Sequence, residues 1–534
     1  MLRLAAADPA GMAALLAAPD SELLARAGTE PAGSATDGAT DSATDRGAGD
    51  GPGDWHRLPC RLAIVAPDAR RLALARKVAA RGRPWRGRSD LWFTPSPLLR
   101  GPEQVAFLFP GFEPEFAPRI EGVAGAFGLP EPRLRAVAAA GHGDGVIEQA
   151  LDVIAVSRLY AAALAGLGIA PGALAGHSLG EWTAMVAAGI YPEIDEFTAS
   201  LRPGMVEVPD LVYLALGASA ARAVELTGGL DGVVLTHDNC PRQSVVCGPA
   251  ARIAEAGELA RDAGILAQVM PFRTGFHSPA FAPYTEPLRR ALSAVEVRPP
   301  SVPVWSATTV SPFPRDPGAI RDLVLRHLVE PVRFRQLTEL LHEEGIRAFV
   351  QVGPGSLTGF TGDTLDGREF ITVATATSRH DGLGQLRRAA AALWAEGLSP
   401  DFRPLAAPGL AAPGFGRPAS PDPGRPDPDR ERLAAPGFER LAGSADRGRV
   451  PSPEPGSERT DGRSRPEPRS KPVRLRLGSS FVRIGGMVPP LAGGGAIPVT
   501  TIPPFGLVGA ELNALLTETA AAAQSVAAAL SAPV

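Results

Sequence analysis

The stretch Ala173-Leu-Ala-Gly-His-Ser-Leu-Gly-Glu-Trp-Thr-Ala-Met-Val-Ala-Ala188 decides the fold. Its apolar start is typical of a buried strand, and 180–188 are predicted to form a helix. The Gly-x-Ser-x-Gly pattern between them is typical of a sharp strand-to-helix turn, on which the serine hydroxyl projects at the edge of a sheet. The N–H groups at the start of the following helix favour a developing oxyanion there. The pattern therefore predicts Ser178 as a nucleophile, and the alternative is a plain glycine-rich turn.

The sequence around this stretch alternates between predicted strands and helices. Val105-Ala-Phe-Leu-Phe109 is a short apolar run that ends at Pro110-Gly111, as a buried parallel strand would. Residues 149–167 are apolar at helical spacing. Because strand–helix alternation is typical of an α/β sheet, we expect an α/β body over 104–398.

Residues 208–272 follow a different pattern, in which two helices alternate unevenly with four strands. The predicted elements are a strand at 211–217, a helix at 220–227, strands at 232–237 and 244–248, a helix at 250–263 and a strand at 265–271. That order is typical of the split-βαβ, ferredoxin-like arrangement. We therefore expect a small lobe inserted into a larger α/β lobe, with a cleft between them.

Glycine and proline concentrate in two stretches outside these lobes. The chain of 534 residues contains 60 Gly and 55 Pro, about a fifth of the total, which is too much for one compact fold. The stretches 28–54 and 402–471 have too little apolar surface to offset the entropy of ordering, so we predict that they are disordered linkers. The first of them interrupts an N-terminal region, 1–99, that also contains a predicted strand at 60–66 and a helix at 68–79.

The C-terminal tail, 472–534, contains three weak patterns. Two strand-like patches lie at 473–477 and 481–484, and an Ala-rich helix is predicted at 511–530. That helix either docks on a partner or frays as a chain terminus often does.

Charge and cysteine content exclude several classes of function. With 53 Lys+Arg against 57 Asp+Glu, the net charge is −4, so no basic field attracts nucleic acid. Cys60, Cys240 and Cys247 are odd in number and widely spaced, which argues against a disulfide scaffold or a zinc site and suits a reducing compartment. No apolar run reaches transmembrane length, and Asp8-Pro9 interrupts any signal-peptide core. We expect a cytoplasmic protein without a metal, a membrane partner or a bound dinucleotide.

A serine nucleophile needs a base, and eight histidines are available. His277 lies in Phe276-His-Ser-Pro279, where the predicted insert returns to the body, so folding alone can bring it to Ser178. His177 should face away from the serine side chain, because neighbouring residues at a strand end point in opposite directions. A lone histidine at a strand end is more often structural, so the spacing does not by itself identify the base.

The motifs together resemble one family, the malonyl-CoA:acyl-carrier-protein transacylases and the acyltransferase domains of polyketide and polyunsaturated fatty acid synthases. The resemblance covers about 104–379 and depends on several motifs in the family's order. They are Phe109-Pro110-Gly111, Gln149, Gly176-His-Ser-Leu-Gly-Glu181, Asn239-Cys-Pro-Arg-Gln-Ser-Val-Val-Cys-Gly248, Gly275-Phe-His-Ser-Pro279, Glu330-Pro-Val-Arg-Phe334 and Val352-Gly-Pro-Gly355. The resemblance implies an α/β-hydrolase-like large lobe with an inserted ferredoxin-like small lobe.

The resemblance also implies a reaction and its residues. Ser178 would attack the thioester of an acyl-CoA while His277 takes its proton, and the backbone N–H groups of Phe112 and Leu179 would hold the oxyanion. The phosphopantetheine thiol of an acyl carrier protein would then take the acyl group. The main-chain carbonyl of His327 would orient His277, and no cofactor would be bound beyond the acyl-CoA substrate.

Substrate contacts follow less directly from the resemblance. Gln149 occupies the place of a family glutamine, whereas Asn239 either contacts substrate or forms strand-end hydrogen bonds. Malonyl-selective members use an arginine after the nucleophile helix to pair the free carboxylate. Arg202 is the nearest candidate, but Pro203 follows it and disfavours a helical conformation, so a solvated surface arginine is the alternative. Phe276 resembles the malonyl-type version of its motif, which makes malonyl the first choice.

Two departures from the family and its context bear on the mechanism. Phe112 stands where the family has glutamine, and Glu113-Pro-Glu115 replaces a small run, so this wall of the pocket is expected to be bulkier and more acidic. Region 1–99 resembles the linker between ketosynthase and acyltransferase, yet no ketosynthase or carrier Asp-Ser-Leu motif is present. We expect a free-standing transferase that works in trans with a carrier protein and a polyketide or fatty acid synthase. A thioester hydrolase on the same fold and an inactive docking subunit remain alternatives.

Overall fold

The computed structural model describes residues 1–27, 58–113, 116–134, 144–192 and 208–406, and the backbone alone of 474–477 and 480–483. Arg202, the stretch 28–54 and the helix predicted at 511–530 lie outside the described residues. The chain divides into two compact units, residues 1–455 with 478–480, and residues 456–477 with 481–534.

The N-terminal region forms its own small sheet and core. In chain order its elements are β1 (Leu2–Ala6), α1 (Pro9–Leu16), α2 (Asp20–Arg26), β2 (Cys60–Ile64), α3 (Ala69–Arg81), β3 (Trp85–Arg86) and β4 (Leu91–Thr94). The strands pair antiparallel in the order β1-β2-β4-β3. Asp68 caps α3 by accepting a hydrogen bond from the N–H of Arg71 at 2.7 Å. β2 and α3 confirm the strand and helix predicted here, whereas β1, α1 and α2 had not been predicted.

The central sheet begins with two buried parallel strands. The elements are β5 (Val105–Phe109), α4 (Val123–Phe127), α5 (Asp144–Gly166), β6 (Ala173–Gly176) and α6 (Leu179–Ala187). β5 and β6 pair in parallel with Phe109 opposite Gly176, and every residue of both strands is buried. The predicted strand, helix, strand and helix are thus confirmed, and their register brings the ends of β5 and β6 to one edge of the sheet.

After α6, the chain leaves the central sheet and forms a second sheet before it returns. Its elements are β7 (Val212–Leu216), α7 (Ala220–Thr227), β8 (Val234–Cys240), β9 (Gln243–Gly248), α8 (Ala250–Asp262) and β10 (Ala267–Arg273). The strands pair antiparallel in the order β10-β7-β9-β8. The end of β8 is attached to the body, since Asp238 N–H donates to Val332 O at 2.9 Å and Val332 N–H donates to Thr236 O at 2.8 Å.

The chain then returns to complete the central sheet. The remaining elements are α9 (Glu286–Ser293), β11 (Val304–Ser306), β12 (Ser311–Pro312), α10 (Pro317–His327), α11 (Phe334–Glu343), β13 (Ala348–Gln351), α12 (Leu357–Thr364), β14 (Ile371–Ala374) and α13 (Gly382–Ala395). The strand order is β12-β11-β6-β5-β13-β14, parallel except for the β11–β12 pair. The fold is therefore mixed α/β, as predicted.

Ordered chain extends beyond the body into the stretch predicted to be disordered from 402. Phe402 and Leu405 are both buried in the main core. Asp401 N–H also donates to Leu167 O at 2.8 Å, and Arg387 Nε donates to Leu405 O at 2.9 Å. The predicted start of the disordered stretch, 402, is thus several residues too early, because the side chains of Phe402 and Leu405 pack into the core.

Beyond residue 406, the structure describes only two short strands that pair. They are β15 (Arg474–Leu477) and β16 (Ser480–Arg483), close to the strand-like patches predicted there. Across the described residues of the chain, no helix combines the length and apolar character needed to cross a membrane.

A buried arginine joins the N-terminal sheet to α13. Arg61, on β2, is 4% exposed. Its Nη1 donates to Trp394 O at 2.8 Å and to Leu398 O at 3.1 Å. Leu398 follows the end of α13, and Trp394 O also accepts from Gly397 N–H at 3.2 Å, so the guanidinium adds a charged donor to two carbonyls in a buried setting.

Replacing this arginine should therefore destabilise the fold. We expect Arg61→Ala to lower the free energy of unfolding by about 2–4 kcal/mol, because buried carbonyls lose a charged donor. Urea denaturation measures the change. The control is Arg26→Ala, which removes an exposed pair with Glu22 on α2 and should cost less than about 1 kcal/mol. Equal losses in the two variants would contradict this account.

Candidate active site

Ser178 lies on a tight turn between β6 and α6. Its backbone has φ 54° and ψ −121°, a conformation that L-residues rarely adopt. A Cβ at Gly176 would collide with the backbone of Gly180 and Glu181, and a Cβ at Gly180 would collide with Phe109 O. The strand and the helix can approach this closely only with glycine at both positions, which forces Ser178 out of the regular geometry of either element.

The serine hydroxyl contacts a histidine that the chain supplies 99 residues later. Ser178 Oγ is 2.7 Å from His277 Nε2, and His277 Nδ1–H donates to His327 O at 2.8 Å. Because a carbonyl oxygen can only accept, Nδ1 carries the proton and Nε2 is free to accept from the hydroxyl. The predicted pair of nucleophile and base is thus brought together, and the predicted main-chain carbonyl orients the base.

Burial keeps the base uncharged. His277 is 3% exposed, and this burial, followed by the positive charge of His327, holds its pKa well below 6.5. An imidazole that is neutral at neutral pH can accept the hydroxyl proton as soon as an electrophile arrives.

The end of α10 holds the backbone of His277 in place. His277 has φ 62°, and its N–H donates to Leu328 O at 2.7 Å. The last carbonyls of a helix lack intrahelical donors, and His277 supplies donors to those of both His327 and Leu328. In the described part of the chain, six residues other than glycine have positive φ, and Ser178 and His277 are two of them. Strain at both members of one pair is typical of a functional site.

The two predicted oxyanion donors lie beside the serine. Leu179 is the first residue of α6, so its N–H has no intrahelical acceptor. Phe112 follows Gly111, where a Cβ would lie 2.6 Å from His177 O and 3.3 Å from Ser178 Cβ. The chain that leaves β5 therefore runs directly against the serine turn.

His177 faces away from Ser178 Oγ, as predicted, and into a polar network at the end of β8. Its Nε2–H donates to Asn239 Oδ1 at 2.7 Å, and Asn239 Nδ2 donates to Gln243 Oε1 at 2.8 Å. Burial lowers the pKa of His177 to about 4, so this ring is neutral. Because the buried amide of Asn239 has protein partners on both sides, the geometry favours strand-end hydrogen bonding over direct substrate contact.

Gln149 and Glu113 connect the wall of the site to its surroundings. Gln149 is buried on α5, and its Nε2 donates to Glu113 O at 3.3 Å. The Glu113 carboxylate accepts hydrogen bonds from the N–H and the hydroxyl of Ser356, both at 3.0 Å. These two hydrogen bonds attach Glu113 to the loop after β13, and the predicted acidity of this wall stays a prediction.

Aromatic rings frame the approach to the dyad. The Phe276 ring lies 4.5 Å from that of buried Phe281, and the Phe276 carbonyl accepts from Tyr213 OH at 2.9 Å. The Phe112 ring lies 6.1 Å from that of Phe272 on β10. Phe112 and Phe272 thus meet from the body and the inserted sheet.

Two residues of the site had not been predicted, His237 and Glu181. The His237 ring lies 5.2 Å from that of His177 and 5.0 Å from that of His277, and burial holds its pKa well below 6.5. Glu181 is fully buried and contacts the His327 side chain. Glu181 follows Ser178 by three residues at the start of α6, a spacing that puts two residues on one face of a helix, so this spacing could have indicated Glu181. No sequence pattern indicates His237. Among the described residues, no cluster of three or more His, Cys, Asp or Glu side chains has the arrangement to hold a metal.

Comparison with known proteins agrees with this geometry. Residues 139–392 match the family model described as acyl transferase domain. This part of the chain, somewhat less than half of it, is therefore similar to acyl transferase domains. The resemblance inferred from the motifs is thus confirmed.

Individual relatives of this domain come from two kinds of protein. A malonyl CoA-acyl carrier protein transacylase of Bacillus subtilis is 32% identical over 201 residues, 36% of this chain and 63% of that protein. Polyketide synthase GfsB of Streptomyces halstedii is 30% identical over 294 residues, 50% of this chain and 5% of that protein. The chain therefore spans less than two thirds of the length of either relative.

Solved structures agree in fold. The acyltransferase domain of an iterative polyketide synthase in enediyne biosynthesis has a TM-score of 0.53 and 29% identity, and the match covers 76% of this chain and 98% of that domain. The acyltransferase domain from the second module of the salinomycin polyketide synthase has a TM-score of 0.53 at 22% identity, over 67% and 89% of the two chains. The second of these bears on the fold alone.

The close approach at Gly180 gives a direct test of the serine turn. We expect Gly180→Ala to lower the free energy of unfolding by about 3 kcal/mol or more, because the new Cβ would push α6 away from Phe109 O. Labelling of Ser178 by a serine-directed fluorophosphonate should be lost as well. The matched control is Gly125→Ala on α4, where a Cβ meets nothing within 4 Å. It should be neutral or stabilising by up to about 1 kcal/mol, and normal labelling of Gly180→Ala would refute the steric argument.

Proposed function

We propose that this chain is an S-acyltransferase, which moves an acyl group, malonyl in the first instance, from CoA to the phosphopantetheine thiol of an acyl carrier protein. The observation that carries the proposal is the hydrogen-bonded series Ser178 Oγ, His277 and His327 O on a strand-to-helix turn. The match of the same residues to an acyl transferase domain supports it.

The first half of the reaction forms an acyl-serine. Ser178 Oγ attacks the thioester carbonyl while its proton passes to His277 Nε2. The tetrahedral intermediate collapses, the bond between carbon and sulfur breaks, and CoA leaves as a thiol after taking the proton from His277. The backbone N–H groups of Phe112 and Leu179 hold the negative oxygen, and the positive end of the α6 dipole points to the same place.

The second half repeats these steps with a different thiol. The carrier thiol gives its proton to His277 Nε2 and attacks the acyl-serine carbonyl. The intermediate collapses with Ser178 Oγ as the leaving group, and His277 returns the proton to it. Free enzyme and acyl carrier protein result, so the enzyme alternates between two covalent states in a ping-pong sequence.

The same proposal covers the architecture and its context. The six-stranded body over about 104–398 serves as the α/β-hydrolase-like large lobe, and the four-stranded sheet over about 208–272 serves as the ferredoxin-like small lobe. The order of elements from β7 to β10 supports this assignment. Region 1–99 serves as the linker-like region. The enzyme works in the cytoplasm on acyl-CoA without a bound cofactor, together with an acyl carrier protein and a polyketide or fatty acid synthase.

Two residues, Arg202 and Phe276, are proposed to make the enzyme selective for the malonyl group. Arg202 pairs the free carboxylate of the substrate, for which a guanidinium is well suited because it donates two parallel hydrogen bonds. Phe276 limits the space beside the substrate α-carbon, and its contact with Phe281 supports a fixed orientation of the ring.

Intact-protein mass tests the nucleophile and the acyl group together. Brief incubation with malonyl-CoA should add one malonyl group to the wild-type chain and none to Ser178→Ala. Acetyl-CoA and methylmalonyl-CoA are compared under the same conditions. Subsequent addition of a carrier protein bearing phosphopantetheine should transfer the group and restore the original mass.

Other outcomes of this experiment identify other functions. An adduct mainly from acetyl-CoA would retain the transferase and remove malonyl selectivity. Release of CoA without an adduct or transfer would indicate a thioester hydrolase. Absence of both an adduct and CoA release would leave a docking subunit, for which Ser178→Ala would have no effect on the pathway.

Arg202 is tested by the ratio of two substrates. We expect Arg202→Ala to lower kcat/KM for malonyl-CoA on the order of 100-fold, about 2.7 kcal/mol, because a charge-assisted pair is lost. The value for acetyl-CoA should change little, because acetyl has no carboxylate. Arg222→Ala, at an exposed position on α7, is the control and should leave both values unchanged. Equal effects of Arg202→Ala on the two substrates would remove Arg202 as the carboxylate partner.

A further inference from the structure

The carbonyl of His327 contacts the base, His277, and its side chain contacts the backbone of the nucleophile, Ser178. Its Nε2 is 3.1 Å from Ser178 O, and its Nδ1 contacts Glu181 Oε2 and lies 2.9 Å from Thr308 Oγ1. Both His327 and Glu181 are buried, at 3% and 0% exposure. The motif comparison had assigned His327 a role through its backbone only.

These contacts determine the protonation state of the ring. Ser178 O can only accept, so Nε2 must carry a proton. Nδ1 faces a carboxylate, which also only accepts when ionised, so Nδ1 carries a second proton. Glu181 Oε1 accepts a hydrogen bond from Ala307 N–H at 2.9 Å. Acceptors at both ring nitrogens favour an imidazolium beside buried Glu181.

We propose that His327 is a charged positioning residue, which holds Ser178 through its side chain and His277 through its carbonyl. The inference deepens the function proposed above and rests on it for the kinetic consequence alone. A single residue at the end of α10 would then fix both the strained peptide of the nucleophile and the tautomer of the base. Its charge also lies beside the base, with the two ring centroids 4.9 Å apart.

The neighbouring groups determine how this charge acts. In the described part of the chain, the titratable side chains around His327 are Glu181 from α6, His177 from the end of β6, His237 from β8 and His277 from the segment after β10, and Arg333 contacts the carbonyl of Thr308. Burial lowers the pKa values of the other three histidines, so His327 is the cation among these four rings. Burial also tends to lower the pKa of His327, but the charge and hydrogen bond of Glu181 outweigh it and raise that pKa.

A fixed cation opposes protonation of His277. Loss of activity on acidification follows protonation of this base, so the position of the acidic limb of the pH–rate profile reports its pKa. If the His327 charge is removed while Glu181 remains, the cation that opposes protonation of His277 is gone. The negative charge of Glu181 is left without its partner, and it favours protonation of His277. The acidic limb should then move to higher pH.

The test compares His327→Gln with Glu181→Gln/His327→Gln. Glutamine retains an N–H donor for Ser178 O but carries no charge. We expect the acidic limb to move upward by about one pH unit or more in His327→Gln, and to move back toward the wild-type position in the double variant. A uniform loss of rate at every pH, with an unmoved limb, would overturn the proposal, because a neutral positioning role predicts that result.

The rate is measured with two reagents so that the two proposals can fail separately. Fluorophosphonate labelling reports the reactivity of Ser178 without any acyl-CoA, and the acylation burst with malonyl-CoA reports the proposed reaction. A displaced limb in fluorophosphonate labelling, with no acylation by any acyl-CoA, would uphold the His327 assignment and overturn the transferase. Acylation by malonyl-CoA with an unmoved acidic limb would uphold the transferase and overturn the His327 assignment.

A spectroscopic measurement keeps the proposal falsifiable if His327→Gln folds poorly. In the wild-type chain labelled with ¹⁵N-histidine, one imidazole should remain doubly protonated at mildly alkaline pH. Its signal should disappear in the folded double variant, where both charges are removed together. Neutral imidazole signals alone at that pH in the wild-type chain would overturn the proposal.

Discussion

The close approach of β6 and α6 is the constraint on which the rest of the site depends. With glycine at 176 and 180, the helix begins almost in contact with the two central strands, and the residue between has to adopt positive φ. Such a backbone costs about 1–3 kcal/mol, which the surrounding core must offset. In return, Ser178 Oγ leaves the packed sheet while the first N–H groups of α6 remain beside it. The reactive geometry is thus a product of packing, and the serine side chain contributes little to maintaining it.

The end of α10 compensates for this strain from the other side of the site. Its last carbonyls need donors, and His277 supplies two of them, while the side chain of His327 reaches back to Ser178 O. The bonds between β8 and Val332 bring the inserted sheet against the same place. Four imidazoles from separate segments therefore meet where they are largely shielded from solvent. Burial lowers the pKa values of three of them and keeps them neutral, whereas buried Glu181 raises the pKa of the fourth, His327.

Local patterns predicted those parts of the fold that local physics determines. The strand at 105–109, the serine turn and the six elements of the inserted sheet follow from apolar periodicity and glycine positions, and the structure has them within a few residues. The pattern Leu2, Leu4, Ala6 alternates as a strand should, but Ala-rich sequence on both sides obscured it. Phe402 and Leu405 were not predicted as core residues, because disorder at 402–471 was predicted from the average composition of that stretch. A composition average cannot identify the two side chains that a core requires.

In the site itself, only the residues that belong to motifs could be predicted. Ser178 and His277 were indicated, whereas the contact of Glu181 with His327 joins residues far apart in sequence, so no spacing could indicate it. That contact alters the chemistry. A base oriented by a carboxylate is stabilised as imidazolium, but His277 is oriented by a carbonyl and lies beside a cation, so its imidazolium is a strong acid that returns its proton readily. A thiol has a pKa of about 8.5 and leaves with little protonation. A base whose imidazolium gives up its proton readily is therefore matched to the second half of the proposed reaction, in which Ser178 Oγ leaves and, unlike a thiol, requires that proton.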